Sequence, residues 1–160
     1  MDDSRAIVFE CLTFNQLSLA KLYEVMALRQ TVFVVEQDCP YLDADGHDQQ
    51  ALHLMGYQEN NKLVSYARLF GPEQYYPKYA SIGRVITDSA VRGKGIGQLL
   101  IQEAIRQIHQ HFGPVAIKIS AQSYLTKFYE SFGFETFGDT YLEDGIPHIA
   151  MIRNTDARMV

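Results

Sequence analysis

Cysteine is scarce in this chain. Cys11 and Cys39 stand far apart and in no C-x-x-C pair, so neither a disulfide framework nor a zinc site is indicated, and both are simplest as buried or loop thiols. Long apolar runs are missing, and so is a basic and apolar leader ahead of a small-residue cleavage site; a cytoplasmic protein without membrane contact is therefore expected. Positive charge is in deficit: 14 Lys and Arg against 19 Asp and Glu leave a formal charge of −5, with the basic residues scattered. That balance excludes a nucleic-acid groove, disfavours acidic substrates, and draws a basic one such as an amine. Internal repeats and low-complexity tracts are absent as well. What is present is 160 residues, 47% of them hydrophobic, enough for one well-filled core and short for two. The expectation is a single domain over residues 1–153 with a flexible tail over 154–160.

Hydrophobic periodicity sets the expected elements. A first strand covers residues 7–12, and Thr13 to Gln16 has the form of a capping box, so a helix starts there or at Ser18 and runs to about Val34. Leu19, Leu22, Tyr23, Met26 and Phe33 would form its apolar face. Residues 39–50, with Pro, Gly and several Asp, read as a loop. Apolar runs at 52–58 and 63–70 around Glu59-Asn60-Asn61-Lys62 predict a hairpin, 71–79 a loop, and 81–87 a further strand. A helix over 98–112 carries Leu99, Leu100, Ile101, Ala104, Ile105 and Ile108 toward a sheet and ends at Gly113-Pro114. A strand at 115–121, a short helix at 124–132 and a hairpin around Asp144-Gly145 complete the order. The sum is an α/β chain of the α+β kind, a mixed sheet with helices on both faces.

The segment Arg92-Gly93-Lys94-Gly95-Ile96-Gly97 lies between the strand at 81–87 and the helix that follows. Alternate glycines leave backbone amides bare, and a turn opening a helix points them, with the positive end of the helix dipole, into one concavity suited to a phosphate or pyrophosphate. A Walker loop needs Ser or Thr after Gly-Lys, where this chain has Gly95. A dinucleotide fingerprint needs its last glycine one place later than Gly97. Taken alone, the six residues fit an ordinary glycine-rich turn equally well.

Arg, two residues, Gly, one residue, Gly resembles the pyrophosphate-binding segment of the GNAT family of N-acetyltransferases, which use acetyl-coenzyme A. Phe128-Tyr129-Glu130-Ser131-Phe132-Gly133-Phe134 is similar to a second motif of that family, and the order of elements matches its fold, in which the sheet splays open beside the glycine loop. The resemblance implies acetyl-CoA as cofactor, held by Gly93, Lys94, Gly95, Ile96, Gly97 and Gln98. Arg92 would meet a phosphate oxygen, and Val85, Ile86 and Thr87 would pair the pantetheine arm as a strand would. Gln122 stands where the family usually has Asn. Tyr129 would protonate the departing thiolate, although a phenol (about 10) is a weaker acid than a thiol (about 8.5); in a chain with ten tyrosines it could also be a packing residue.

Leu28-Arg29-x-x-Val32-Phe33-x-x-Glu36-Gln37-x-Cys39-Pro40-Tyr41, with Asp43, Asp45 and Asp48, resembles the ElaA branch of the family, as does the stretch from Glu143 to Ile149. The two should face each other on the acceptor side. From them Arg29, Phe33, Glu36, Tyr41, Asp45 and, on the strand, Arg84 are candidate substrate-binding residues. Acyl transfer to an amine requires a group that removes a proton from the ammonium, and Glu36 and His148 are candidates. Glu36 could instead only pair with Arg29 or Arg84, and His148 could be a satisfied hairpin histidine. The three aspartates recognise a second substrate charge or form a solvated acidic loop; Gly46 is misplaced for a calcium loop, so no metal is expected. The implied activity is acetyl transfer to a peptide, lysine, polyamine, aminoglycoside or small amine by direct attack in a ternary complex. An exposed sheet edge leaves room for a homodimer. Alternatives are an acyl-homoserine lactone synthase, suggested by Arg-x-x-Val-Phe with its following Glu, and a non-catalytic acetyl-CoA-binding regulatory module.

Overall fold

Strands β2 (Leu52–Tyr57) and β3 (Leu63–Phe70) are buried along nearly their whole length, so helices must cover both faces of the sheet they form. The computed structural model describes residues 7–158. It runs β1 (Val8–Thr13), α1 (Leu19–Arg29), β2, β3, β4 (Ala80–Thr87), α2 (Ile96–Phe112), β5 (Ile117–Gln122), α3 (Thr126–Glu130), β6 (Phe134–Glu143) and β7 (Ile146–Arg153). The seven strands make one mixed sheet in the order β1-β2-β3-β4-β5-β7-β6. One face carries Leu54, Ala67, Leu69 and Ile82 against α2 and α3. The other carries Met55, Tyr66 and Ile86 against α1. Among the described residues no helix is long and apolar enough to cross a membrane.

The sheet is weakest at its centre. β4 and β5 are parallel and pair only at Ala80–Ile117 and Ser81–Lys118, after which they part. Opposite this gap β4 also breaks register with β3: Tyr66 faces Ile86 and Arg68 faces Gly83, so Arg84 and Val85 stand against Ala67 alone. This is a β-bulge, and Arg84 adopts φ 49° in it, a left-handed conformation unfavourable for a side chain of this size.

Helix α1 starts where Ser18 Oγ accepts from the Lys21 N–H at 3.1 Å, and seven residues of π-helix, Gln30–Glu36, prolong it. Its buried face differs from the expected one. Leu19 is 87% and Tyr23 79% exposed, whereas Val25, Leu28, Arg29 and Val32 are buried. These four follow the i, i+3, i+4, i+7 spacing of a core stripe, but the stripe contains an arginine, so the neighbouring all-apolar stripe looks better on sequence alone. Helix α2 buries Leu100, Ile101, Ala104, Ile105 and Ile108 together with Ile96, with Leu99 at the margin. The segment after Arg153 is tied back as far as it is described: the Arg153 guanidinium donates to the carbonyls of Phe132 at 2.8 Å and Ala157 at 3.0 Å.

The acidic loop over residues 41–50 is not a solvated one. Arg29 donates to Asp43 Oδ2 at 2.8 Å and to Asp48 Oδ1 at 2.7 Å. Arg68 reaches Asp48 at 2.9 Å and both oxygens of Asp45 at 2.8 Å. Arg84 donates to Asp43 Oδ1 at 2.8 Å. His53 lies beneath: its Nε2 donates to the Asp48 carbonyl at 2.9 Å and its Nδ1 accepts from the Tyr66 hydroxyl at 2.7 Å. Burial lowers the His53 pKa, in keeping with that neutral tautomer. Three guanidinium groups and three carboxylates thus strap the loop onto α1 and the sheet. Removing one partner leaves carboxylates buried without their counter-charge. Arg29→Leu is expected to cost about 3–5 kcal/mol in urea denaturation, whereas Arg106→Ala, which removes surface contacts to Glu103 and Gln110, should leave the midpoint nearly unchanged.

Candidate active site

The glycine loop folds as its composition demands. Asp88 accepts the Ala90 N–H at 2.8 Å, Val91 is buried as an anchor, and Gly93 and Gly95 both take φ 80°, which L side chains rarely adopt. A Cβ placed on either glycine would meet nothing within 4 Å, so the loop is open on its ligand side. Gly95 caps α2, whose first main-chain bond runs from the Leu99 N–H to the Gly95 carbonyl at 3.3 Å. The amides of Ile96, Gly97 and Gln98 donate to no main-chain carbonyl among the described residues. They are the orphan donors of a helix N-terminus, and they fit a diphosphate.

Arg92 lines the cleft with the loop glycines and also ties the loop down. Its Nε donates to the Thr87 carbonyl at 2.9 Å and its Nη2 to Glu36 Oε2 at 2.7 Å. The guanidinium thus pins the loop to the end of the π-helix at the border of the cleft. Glu36 correspondingly pairs with Arg92, not with Arg29 or Arg84.

Where β4 and β5 part, a cleft of about 1350 Å³ opens. Val85, Ile86 and Thr87 line one side, Gln122 and Tyr129 the other, and Gly93, Gly95, Ile96, Gly97 and Gln98 one end. The Val85–Thr87 stretch has no strand partner on the β5 side. Tyr129, only 6% exposed, stands edge-on to Phe128 at 5.1 Å and Phe134 at 5.9 Å between ring centroids. Its hydroxyl donates to no group among the described residues. Burial, with a smaller contribution from Tyr124, pushes its pKa above the ordinary phenol value, so the hydroxyl stays protonated at neutral pH.

The two segments expected to face one another do so: the Cys39 thiol donates to the Asp144 carbonyl at 3.6 Å. His148 sits opposite Gln122 on β7. Its Nδ1 donates to the Ile146 carbonyl at 2.7 Å, and Glu143 Oε2 lies 3.2 Å from Nε2. Phe33, Glu36, Tyr41, Asp45 and Arg84 line the same cleft. Arg29 does not fit an acceptor-contacting role: it is fully buried, with its donors spent on Asp43 and Asp48. Sequence reasoning passed over Arg68, although a lone arginine in an otherwise apolar strand is a signal of a buried partner. It also gave Glu143 no role, and nothing local marks Tyr76, which joins the cleft wall only through the fold.

The acetyltransferase (GNAT) domain family matches residues 31–154. The chain belongs to the GNAT family. It is 48% identical to a UPF0039 protein of Synechocystis over 87% of this chain and 90% of that one. It is 40% identical to the ElaA protein of Escherichia coli over 92% and 96%, and it superimposes on the crystal structure of ElaA with a TM-score of 0.86, covering 92% and 99% of the two chains. An acyl-CoA N-acyltransferase of Pseudomonas aeruginosa aligns with TM-score 0.87 and 37% identity over 92% and 99%. The splayed mixed sheet is thus the GNAT fold, which binds acyl-CoA.

The carboxylates at the acceptor side make stability acid-sensitive. Burial alone would raise Asp45 and Asp48, but hydrogen bonds from Arg68 to Asp45 and from Arg29 to Asp48, with the charges of the surrounding arginines, outweigh it and hold both below the usual carboxylate range. Their stabilising contribution is present above the unfolded value of about 3.9 and is lost as pH falls toward the depressed folded values. Urea denaturation at about pH 6 and about pH 3 should show this loss, and Arg68→Met should make it smaller.

Proposed function

We propose that this GNAT protein transfers an acetyl group from acetyl-CoA to a primary amine by direct attack, with both substrates bound at once. The observation that carries the reading is the continuity of one cleft. Unpartnered amides at the start of α2, an unpaired stretch of β4, a buried phenol and a histidine–carboxylate pair all open onto it. Acetyl-CoA supplies the acyl group as a thioester, with a thiol as leaving group. The loop amides bind its diphosphate, and Val85 to Thr87 orient its extended arm by strand-like pairing.

His148 is better placed than Glu36 to take the ammonium proton, because the Glu36 carboxylate is engaged by Arg92. With Nδ1–H held by the Ile146 carbonyl, the neutral imidazole keeps its lone pair on Nε2. Glu143 then stabilises the imidazolium that forms. Tyr129 gives its proton to the departing sulfur; a hydroxyl without a competing partner in the chain is free to turn to it. Cys11 does not act as a nucleophile. Burial is the chief cause that pushes its pKa up to about 11, which leaves it a thiol at neutral pH.

Acetyl-CoA at 100 times its Kd should stabilise the protein by about 2.7 kcal/mol, read as a rise in Tm. Gly95→Asp, which puts a carboxylate among the loop amides, should abolish that rise while the unliganded protein still unfolds cooperatively. With thiol release as the readout, Tyr129→Phe and His148→Gln should each lower kcat by roughly 10²-fold or more with the acetyl-CoA Tm shift retained. Absence of both a Tm shift and thiol release with any amine would refute the reading.

A further inference from the structure

The acceptor end of the cleft has a composition that selects among amines. We propose that the acceptor is a monoamine carried on an aromatic ring, an arylalkylamine, rather than a polyamine or an aminoglycoside; this rests on the acetyltransfer reading above. The first ground is charge. Asp45 on the cleft wall, and Asp43 and Asp48 next to it in the same loop, are each matched by two arginines: Asp43 by Arg29 and Arg84, Asp45 by Arg68 and Arg84, and Asp48 by Arg29 and Arg68. A second ammonium would have to displace a guanidinium to gain a carboxylate. Lys118 adds a further cation, its Nζ lying 4.8 Å from the centroid of the Tyr76 ring. A polycation therefore finds Asp45 already paired where an unpaired acidic wall would have drawn it.

One carboxylate is placed for one ammonium. Glu143, half exposed in its side chain, stands 3.2 Å from His148 Nε2, beside the proposed proton acceptor. Glu36 is held by Arg92, and Asp144, which also lines the cleft, lies on the exposed β6–β7 turn and forms no ion pair with His148 among the described residues.

The second ground is the aromatic wall. Tyr75 stacks on Phe70 at 5.0 Å and 22°, and meets Tyr76 edge-on at 4.9 Å and 89°; all three line the cleft, with Phe33 and Tyr41. Tyr75 is 41% exposed, so the stack ends on an open ring. Tyr76 and Glu143 line the same cleft, so the aromatic wall and the ammonium anchor open onto one space. A ligand ring extending this stack loses water and gains ring–ring contact, while its short alkyl arm leads the amine to Glu143 and His148.

The test uses thiol release from acetyl-CoA with phenethylamine, n-butylamine and spermidine, and calorimetric titration of the same amines into the complex with coenzyme A. Phenethylamine should exceed both others in kcat/KM by roughly tenfold or more, as one added ring contact of about 1.4 kcal/mol implies. Tyr75→Ala, at an exposed position, should collapse the phenethylamine to n-butylamine ratio toward one; Tyr75→Phe should restore it. Preference for spermidine, or a ratio unmoved by Tyr75→Ala, overturns the proposal and leaves acetyl transfer standing. Should none of the amines release thiol, the arylalkylamine proposal is overturned, while the acetyltransfer reading falls only if acetyl-CoA also fails to raise Tm. Where thiol is released, the titration should show phenethylamine binding more tightly than the other two amines; equal, spermidine-favoured or absent binding overturns the proposal.

Discussion

The parting of β4 from β5 after two residue pairs is the constraint around which the rest of this molecule is arranged. Main-chain N–H and C=O groups in a sheet interior must find partners, and two parallel strands that diverge leave a row of them facing each other across a gap. The bulge at Arg84-Val85 bends β4 at the same level. A ligand with amides of its own along an extended arm can fill such a gap as an extra strand. The α2 N-terminus, immediately beyond β4, supplies the anion-binding end of the same site. In the proposed reading donor binding rests on backbone geometry, so it makes few demands on side chains other than the left-handed φ that glycine permits at positions 93 and 95.

A divided sheet has to be held from outside, and the arginine–aspartate network does this. Buried ion pairs are poor sources of net stability because both charges lose their hydration. Their directional hydrogen bonds nevertheless specify position. Asp43 receives donors from Arg29 on α1, Arg84 on β4 and the Tyr41 hydroxyl, so one carboxylate registers helix, strand and loop together. The left-handed backbone at Arg84 is retained because its side chain is gripped by Asp43. A net charge of −5 suggests an acidic cleft, yet Asp45 on its wall is matched by Arg68 and Arg84 and stands beside aromatic surface.

Much of the architecture was legible along the chain. Periodicity located every strand and the long helices to within a few residues, and Asp144-Gly145 marked the last turn, where both residues take positive φ. The buried stripe of α1 escapes such a reading because a charged residue occupies a core position, and apolar patterning cannot see a charge whose partner lies 14 or 19 residues away. The site divided in the same way. The glycine loop and the Tyr129 segment are local motifs and could be read directly. Arg92 could not be placed, since its partner Glu36 is 56 residues distant and only the fold decides whether a guanidinium faces a ligand or a carboxylate.

By itself the sequence determined the local physics: which segments alternate or recur with a helical period, where glycine permits a left-handed turn, and which turn exposes bare amides. Tertiary structure alone decided which charges meet, because Coulomb attraction and hydrogen bonding depend on distance in space and not along the chain. It therefore decided that the aspartates are bound by arginines, that Glu143 stands beside His148, and that Phe70, Tyr75 and Tyr76 form a wall of the cleft.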